Sequence, residues 1–295
     1  MNRRQFTQNL MGAAAAMGSG LALPEMKAMA QGPASGVTFH FSVMLWTLNK
    51  VQPVFEKQLE MVAAAGYTGV ELVGEWHKWT DDDFTKYRAK LKELGLKVDS
   101  MAGIAGTFAD PAGGDALVAG TRAAIVAADK IGCPQLLYTS GKRQPGTTMD
   151  TVIANLKRVM EEADKAGKEV VIEPIDLLEN PAAWLTSVTQ AFEICRAIGN
   201  PKLKVLYDVY HEQRQAGNLV EKFQKNIDLV GLIHIADVPG RHEPGTGEIR
   251  YDAIYKVLGQ LKYSGYMAME FYSTGDAVAT LRAAREEAIR AATSV

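Results

Sequence analysis

Two hydrophobic patterns alternate along this chain. After residue 36, short runs rich in β-branched and other apolar residues recur at 39–46, 69–73, 97–103, 135–141, 169–174, 203–209, 230–237 and 266–271. Runs of this length bounded by turn residues predict strands. Between them the apolar residues return every three or four positions, as in "PVFEKQLEMVAAAG", "DDDFTKYRAKLKELG", "TMDTVIANLKRVMEEADKAG" and "TGDAVATLRAAREEAIRAA", which is the period of an amphipathic helix. Gly66, Gly95, Gly132, Gly167 and Gly199 fall where helices should stop, as left-handed C-terminal caps. The Asp81–Asp83 triplet reads as a helix N-terminus, where acidic side chains accept backbone N–H groups and oppose the macrodipole. Eight strand–helix units at roughly 30-residue spacing predict parallel strands with crossover helices, and eight closes a single (β/α)8 TIM barrel. An open doubly wound sheet is the alternative, but the first strand lacks the glycine-rich turn that its nucleotide site needs.

The first 37 residues stand outside this pattern. Arg3 and Arg4 are followed by Phe6, a short weakly apolar segment and small residues at Ala28 and Ala30. That order predicts a twin-arginine signal peptide over residues 1–30, a linker over 31–37 and a barrel domain over 38–295, exported to the periplasm. An ordinary amphipathic N-terminal helix is the alternative. No apolar run approaches the ~20 residues of a spanning helix, so no stable membrane insertion is expected after signal removal.

Composition narrows the partners. With 295 residues, 47% of them hydrophobic and 22% charged, the chain can bury a sizeable core, and its net charge of -2 offers no general basic field. Nucleic acid and anionic membranes lose support as partners, and a small-molecule substrate is expected; a homo-oligomer is compatible with this. Cys133 and Cys195 fit no metal spacing and read as small buried hydrophobes, although an oxidising compartment would allow them to pair.

The chemistry-bearing residues lie where such a barrel places its active site, at the C-terminal ends of the strands. Glu173 closes the fifth strand, Asp208 the sixth and Glu270 the eighth, while His234 stands in the apolar seventh. Singly, a carboxylate there can cap the next helix and a histidine can be a satisfied core residue. Together, inward charges carry a large desolvation cost unless they are paired or bound to a metal. Three carboxylates and one imidazole make a mostly oxygen site suited to Mn²⁺ or Mg²⁺, with Co²⁺ or Zn²⁺ as substitutes. A divalent ion there would polarise a substrate carbonyl, and Glu173 and Glu270 are placed to move the proton. His211, three residues after Asp208 in a loop over the mouth, and Arg241 with its planar fork are candidate substrate contacts, against the alternative of solvated loop residues. Trp46 is a candidate pocket wall or a core residue. Lys142 and Arg143 are a candidate anion contact or an exposed pair, and Gly245 and Gly247 mark a tight turn rather than a phosphate cradle.

From about residue 38 onward the chain resembles the hydroxypyruvate isomerase family of the xylose-isomerase-like barrels, through "VVIEPID", "LKVLYDVYH", "HIADVPGRHEPGTGEIRYDAI" and "YMAMEF". The resemblance implies a metal held at Glu173, Asp208, His234 and Glu270, with the two glutamates as acid and base. Two positions depart from the family pattern: His-x-Gln is replaced by Leu232-Ile233-His234, closer to ketose 3-epimerases, and Asn-Arg by Ile175-Asp176. Loss of a polar substrate contact is expected at the second. The expected activity is interconversion of hydroxypyruvate and tartronate semialdehyde through an enediolate. A ketose 3-epimerase or other sugar isomerase is the enzymatic alternative, and an exported sugar-binding protein without turnover the non-enzymatic one. With five histidines in the chain, a trinuclear-zinc endonuclease is disfavoured.

Overall fold

The computed structural model describes residues 39–293, so the signal-peptide and linker expectations lie outside the described residues. Eight strands form in the order expected: β1 (His40–Met44), β2 (Gly69–Val73), β3 (Lys97–Ala102), β4 (Gln135–Thr139), β5 (Glu169–Glu173), β6 (Leu203–Asp208), β7 (Val230–Ile235) and β8 (Tyr266–Met269). All pairings are parallel, and β8 returns to β1 to close a single barrel. The helices around it are α1 (Phe55–Ala64), α2 (Asp81–Glu93), α3 (Gly114–Ile131), α4 (Met149–Lys165), α5 (Val188–Ile198), α6 (Val209–Gln215), α7 (Leu219–Asn226), α8 (Tyr251–Gln260) and α9 (Ala277–Thr293).

Most strands end earlier than the apolar runs suggest, because the ladder stops before the hydrophobicity does. The first ends at Met44, and Trp46 sits in a 3-10 turn over Leu45–Leu48 rather than on the strand. Glu270 likewise lies one residue past β8. Strand parity divides the core in two. Met44, Ala102, Leu137, Val171, Leu206, Leu232 and Ala268 pack together inside the barrel, while the alternate residues, such as Val43, Leu72, Ile172 and Ile233, join the larger layer that includes the helices. Residues two further along from Val171, Leu206, Leu232 and Ala268 therefore also face inward. These are Glu173, Asp208, His234 and Glu270.

Helix ends follow the sequence cues. Thr80 and Asp83 form a reciprocal capping box at the start of α2, which satisfies two N-terminal N–H groups. The five glycines expected at helix ends all have positive φ. Cys133 and Cys195 are free and buried. Among the described residues no helix is long and apolar enough to cross a membrane.

Candidate active site

Glu173, Asp208, His234 and Glu270 each offer one ligand atom, and these atoms lie within 4.8 Å of one another. All four residues are buried. The His234 ring stands between carboxylates, with Nδ1 2.9 Å from Glu270 Oε2 and 3.8 Å from Glu173 Oε1. Asp208 uses Oδ1 to accept the backbone N–H of His211 at 3.0 Å, capping α6. Its other oxygen, Oδ2, is buried without a hydrogen bond among the described residues. The cap and the site function thus use different oxygens of one side chain.

An unsatisfied buried carboxylate oxygen is costly, and its position beside two glutamates and an imidazole is what a divalent cation would relieve. The residues present fit such an ion: three hard oxygen donors and one nitrogen, all inward, on four consecutive strands or strand ends.

Burial lifts Glu173 to about 7, against the opposing pull of His234. Burial would also raise Glu270, but the Arg241 guanidinium and His234 hold it well below the ordinary carboxylate range. The two glutamates therefore occupy contrasting electrostatic surroundings. His211 is lifted to about 8: burial works against its charge, and the Asp208 charge and Asp176 hydrogen bond outweigh that.

Three substrate-contact candidates from the sequence gather at this mouth. Arg241 donates from Nη2 to Glu270 Oε2 at 2.5 Å and comes within 3.5 Å of Asp208 Oδ2. Its guanidinium carbon lies 5.0 Å from the Tyr210 ring centre and 5.5 Å from that of Trp46, two cation–π contacts that favour the charged group at this position. Trp46 donates from Nε1 to Glu270 Oε1 at 3.1 Å. His211 belongs to α6, not to a loop, and both it and Arg241 are buried; the solvated-loop alternative does not hold for either. Lys142 and Arg143 are exposed, and among the described residues neither bonds to the cluster.

Several residues of the site escaped the sequence pattern. Asp176, where a polar substrate contact was expected to be lost, is fully buried and meets His211 Nδ1 at 2.6 Å. Its other oxygen accepts the backbone N–H groups of Leu178 and Glu179. The ring of His211 is thereby turned so that Nε2 lies 3.5 Å from Asp208 Oδ2. Glu71 on β2 is buried and meets His234 Nε2 at 2.9 Å. Its signal was a carboxylate at an inward position of the otherwise apolar "GVELV". Asp237 accepts backbone N–H groups from Val238 and Ile249 on one oxygen and from Gly245 and Gly247 on the other, making the turn that carries Arg241.

The family described as "Xylose isomerase-like TIM barrel" matches residues 59–293. The chain belongs to the xylose isomerase-like TIM barrel family. Within it, the chain is similar to the hydroxypyruvate isomerase of Escherichia coli K12, 31% identical over 74% of this chain and 87% of that protein. It is also similar to a putative hydroxypyruvate isomerase of Danio rerio, 29% identical over 78% of this chain and 88% of that one. A 2-oxo-tetronate isomerase of Cupriavidus necator is 36% identical over 41% of this chain and 46% of its own length. These homologues support an isomerase of the xylose isomerase-like family. Among solved structures, L-ribulose 3-epimerase superposes with a TM-score of 0.72 at 17% identity, covering 86% of this chain and 95% of that one, a likeness of fold.

Proposed function

We propose that this protein is a metal-dependent isomerase of a small hydroxy-carbonyl acid, of the hydroxypyruvate isomerase type, working through an enediolate. The observation that carries it is the convergence of Glu173, Asp208, His234 and Glu270 within 4.8 Å at one end of the barrel. Relatives named for hydroxypyruvate and 2-oxo-tetronate supply the substrate class, since both compounds place a carboxylate beside a carbonyl.

The four side chains would hold Mn²⁺ or Mg²⁺, with Co²⁺ or Zn²⁺ as substitutes. When bound, the ion would polarise the substrate carbonyl and acidify the neighbouring C–H. One of Glu173 and Glu270 removes that proton and the other supports its delivery to the adjacent carbon. Arg241, in contact with the rings of Trp46 and Tyr210, presents a planar donor fork to a carboxylate or enediolate oxygen. His211 Nε2, oriented by Asp176 at Nδ1, hydrogen-bonds a substrate oxygen, and Trp46 forms the wall beside Glu270.

A ketose 3-epimerase is the second reading, favoured by His234 standing where hydroxypyruvate isomerases carry a glutamine ligand. A panel of hydroxypyruvate, 2-oxo-tetronate and ketoses in D₂O with Mn²⁺, followed by NMR, separates the two. Transfer of the carbonyl to the adjacent carbon, giving an aldehyde from hydroxypyruvate or the 3-oxo acid from 2-oxo-tetronate, with deuterium incorporation supports the first, and C3 inversion of a ketose the second. A ligand held without C–H exchange would mean a binding protein.

A further inference from the structure

Below the four-residue cluster, a polar column enters the closed barrel. The His234 ring bridges two layers: Nδ1 faces Glu270 and Glu173, and Nε2 faces Glu71 Oε2 at 2.9 Å. Glu71 lies on β2 and His234 on β7, which are not neighbours in the barrel, so their contact crosses its interior. Both side chains are essentially sealed from solvent. Behind Glu71 stands Asp99, buried, with Oδ2 accepting from Ser42 Oγ at 2.8 Å.

A neutral imidazole has one N–H and one lone pair, and an ionised carboxylate can only accept. His234 therefore has a carboxylate competing for its proton at each nitrogen. If Glu270 won, Nδ1 would carry the hydrogen and the ring would have no lone pair facing Asp208 and Glu173. On the metal-site reading above, we propose that Glu71 is the positioning residue of the cluster, holding the Nε2–H of His234 and so fixing Nδ1 as the ligand atom. It meets no metal itself and acts through the ring.

Two further observations agree. Glu71 Oε1 and Asp99 Oδ1 are both buried without a hydrogen bond among the described residues, and a proton retained on Asp99 would satisfy the pair. Burial and the Glu71 charge push the Asp99 carboxyl well above its usual range, so Asp99 supports Glu71 as a neutral acid. A carboxylate on the outer nitrogen also raises the basicity of a ligating imidazole, and such partners are worth about 10- to 100-fold in metal affinity.

The test compares wild type, Glu71→Gln and Glu71→Leu, each confirmed folded by circular dichroism. Zn²⁺ and Mn²⁺ affinities are measured by calorimetry, and the His234 ring by ¹H–¹⁵N NMR of the Zn²⁺ form. Wild type should show a low-field, slowly exchanging Nε2–H. Glu71→Leu should lose that resonance and bind both ions about 10- to 100-fold more weakly. Glu71→Gln keeps an acceptor oxygen, so it should retain the resonance and recover part of the affinity. Equal affinity in wild type and Glu71→Leu, or Zn²⁺ bonded at Nε2, overturns the positioning role while leaving the metal site standing. Failure of wild type to bind either ion overturns both.

Discussion

Asp208 Oδ1 caps α6 and Oδ2 faces the cluster, and substitution separates the two. Asparagine caps a helix as well as aspartate does, so Asp208→Asn should keep its melting temperature while Mn²⁺ affinity drops at least ~10-fold through loss of a charged donor. His234→Ala should weaken binding as well. Calorimetry decides this, and unchanged affinity in either variant removes that residue from the site. For the two glutamates, glutamine retains an oxygen but no basic carboxylate. Glu173→Gln and Glu270→Gln should each lower turnover ~10²-fold or more with substrate binding largely preserved. Near-normal turnover in both would reduce these carboxylates to structural roles. Without metal, the pH response has a definite sign. Glu173 is raised from 4.5 to about 7 and His211 from 6.5 to about 8, so the native state binds more protons than the unfolded chain between about pH 5 and 8. Their contribution is greatest at the acid side of that window and is lost as pH rises through about 8. Thermal melts of the metal-free protein should shift downward across it; a flat or rising profile would contradict the shifts.

At the scale of elements, the β7–α8 loop deserves its own test because it delivers Arg241. Asp237 gathers four backbone N–H groups, and Arg241 accepts from the Tyr272 N–H through its carbonyl at 2.8 Å. A Cβ on Gly247 would lie 2.0 Å from the Val238 carbonyl oxygen, so only glycine fits where the turn closes. Asp237→Ala removes the acceptor of four backbone N–H groups, of which that of Ile249 is buried, and leaving that donor unpaired costs about 1–3 kcal/mol. The expected outcome is a melting temperature lower by several degrees and a larger loss in kcat/KM than in metal affinity, since Arg241 moves while the four ligands are held by the barrel strands and, for Glu270, the end of β8. A parallel fall in metal binding would show that the loop also holds the cluster. These features were partly legible: "EPGTGE" signalled a tight turn, whereas Asp237 at its centre gave no periodic signal. The inward positions of Glu173, Asp208 and His234 were legible because alternate residues of a strand share a face. His211 was misplaced in a loop, because α6 spans only Val209–Gln215, too short to show a helical period.

For the whole molecule, we propose twin-arginine export of the folded protein, on the strength of Arg3 and Arg4 ahead of the short apolar segment. Such an address is read by a receptor and does not act as an anchor. Replacing both arginines with lysine should abolish recovery from the periplasm while leaving cytoplasmic activity intact, as fractionation would show; undiminished periplasmic recovery rejects it. The barrel itself was determined by the sequence: short apolar runs and helical faces, repeated eight times, leave parallel strands few ways to close, and parity sets which carboxylates look inward. Tertiary structure alone decided who meets whom. Glu71 reaches His234 across 163 residues, and Asp176 reaches His211 across 35. Periodicity reports the face a side chain occupies, but the partner across the barrel is fixed only when the last strand joins the first and the strand registers are set.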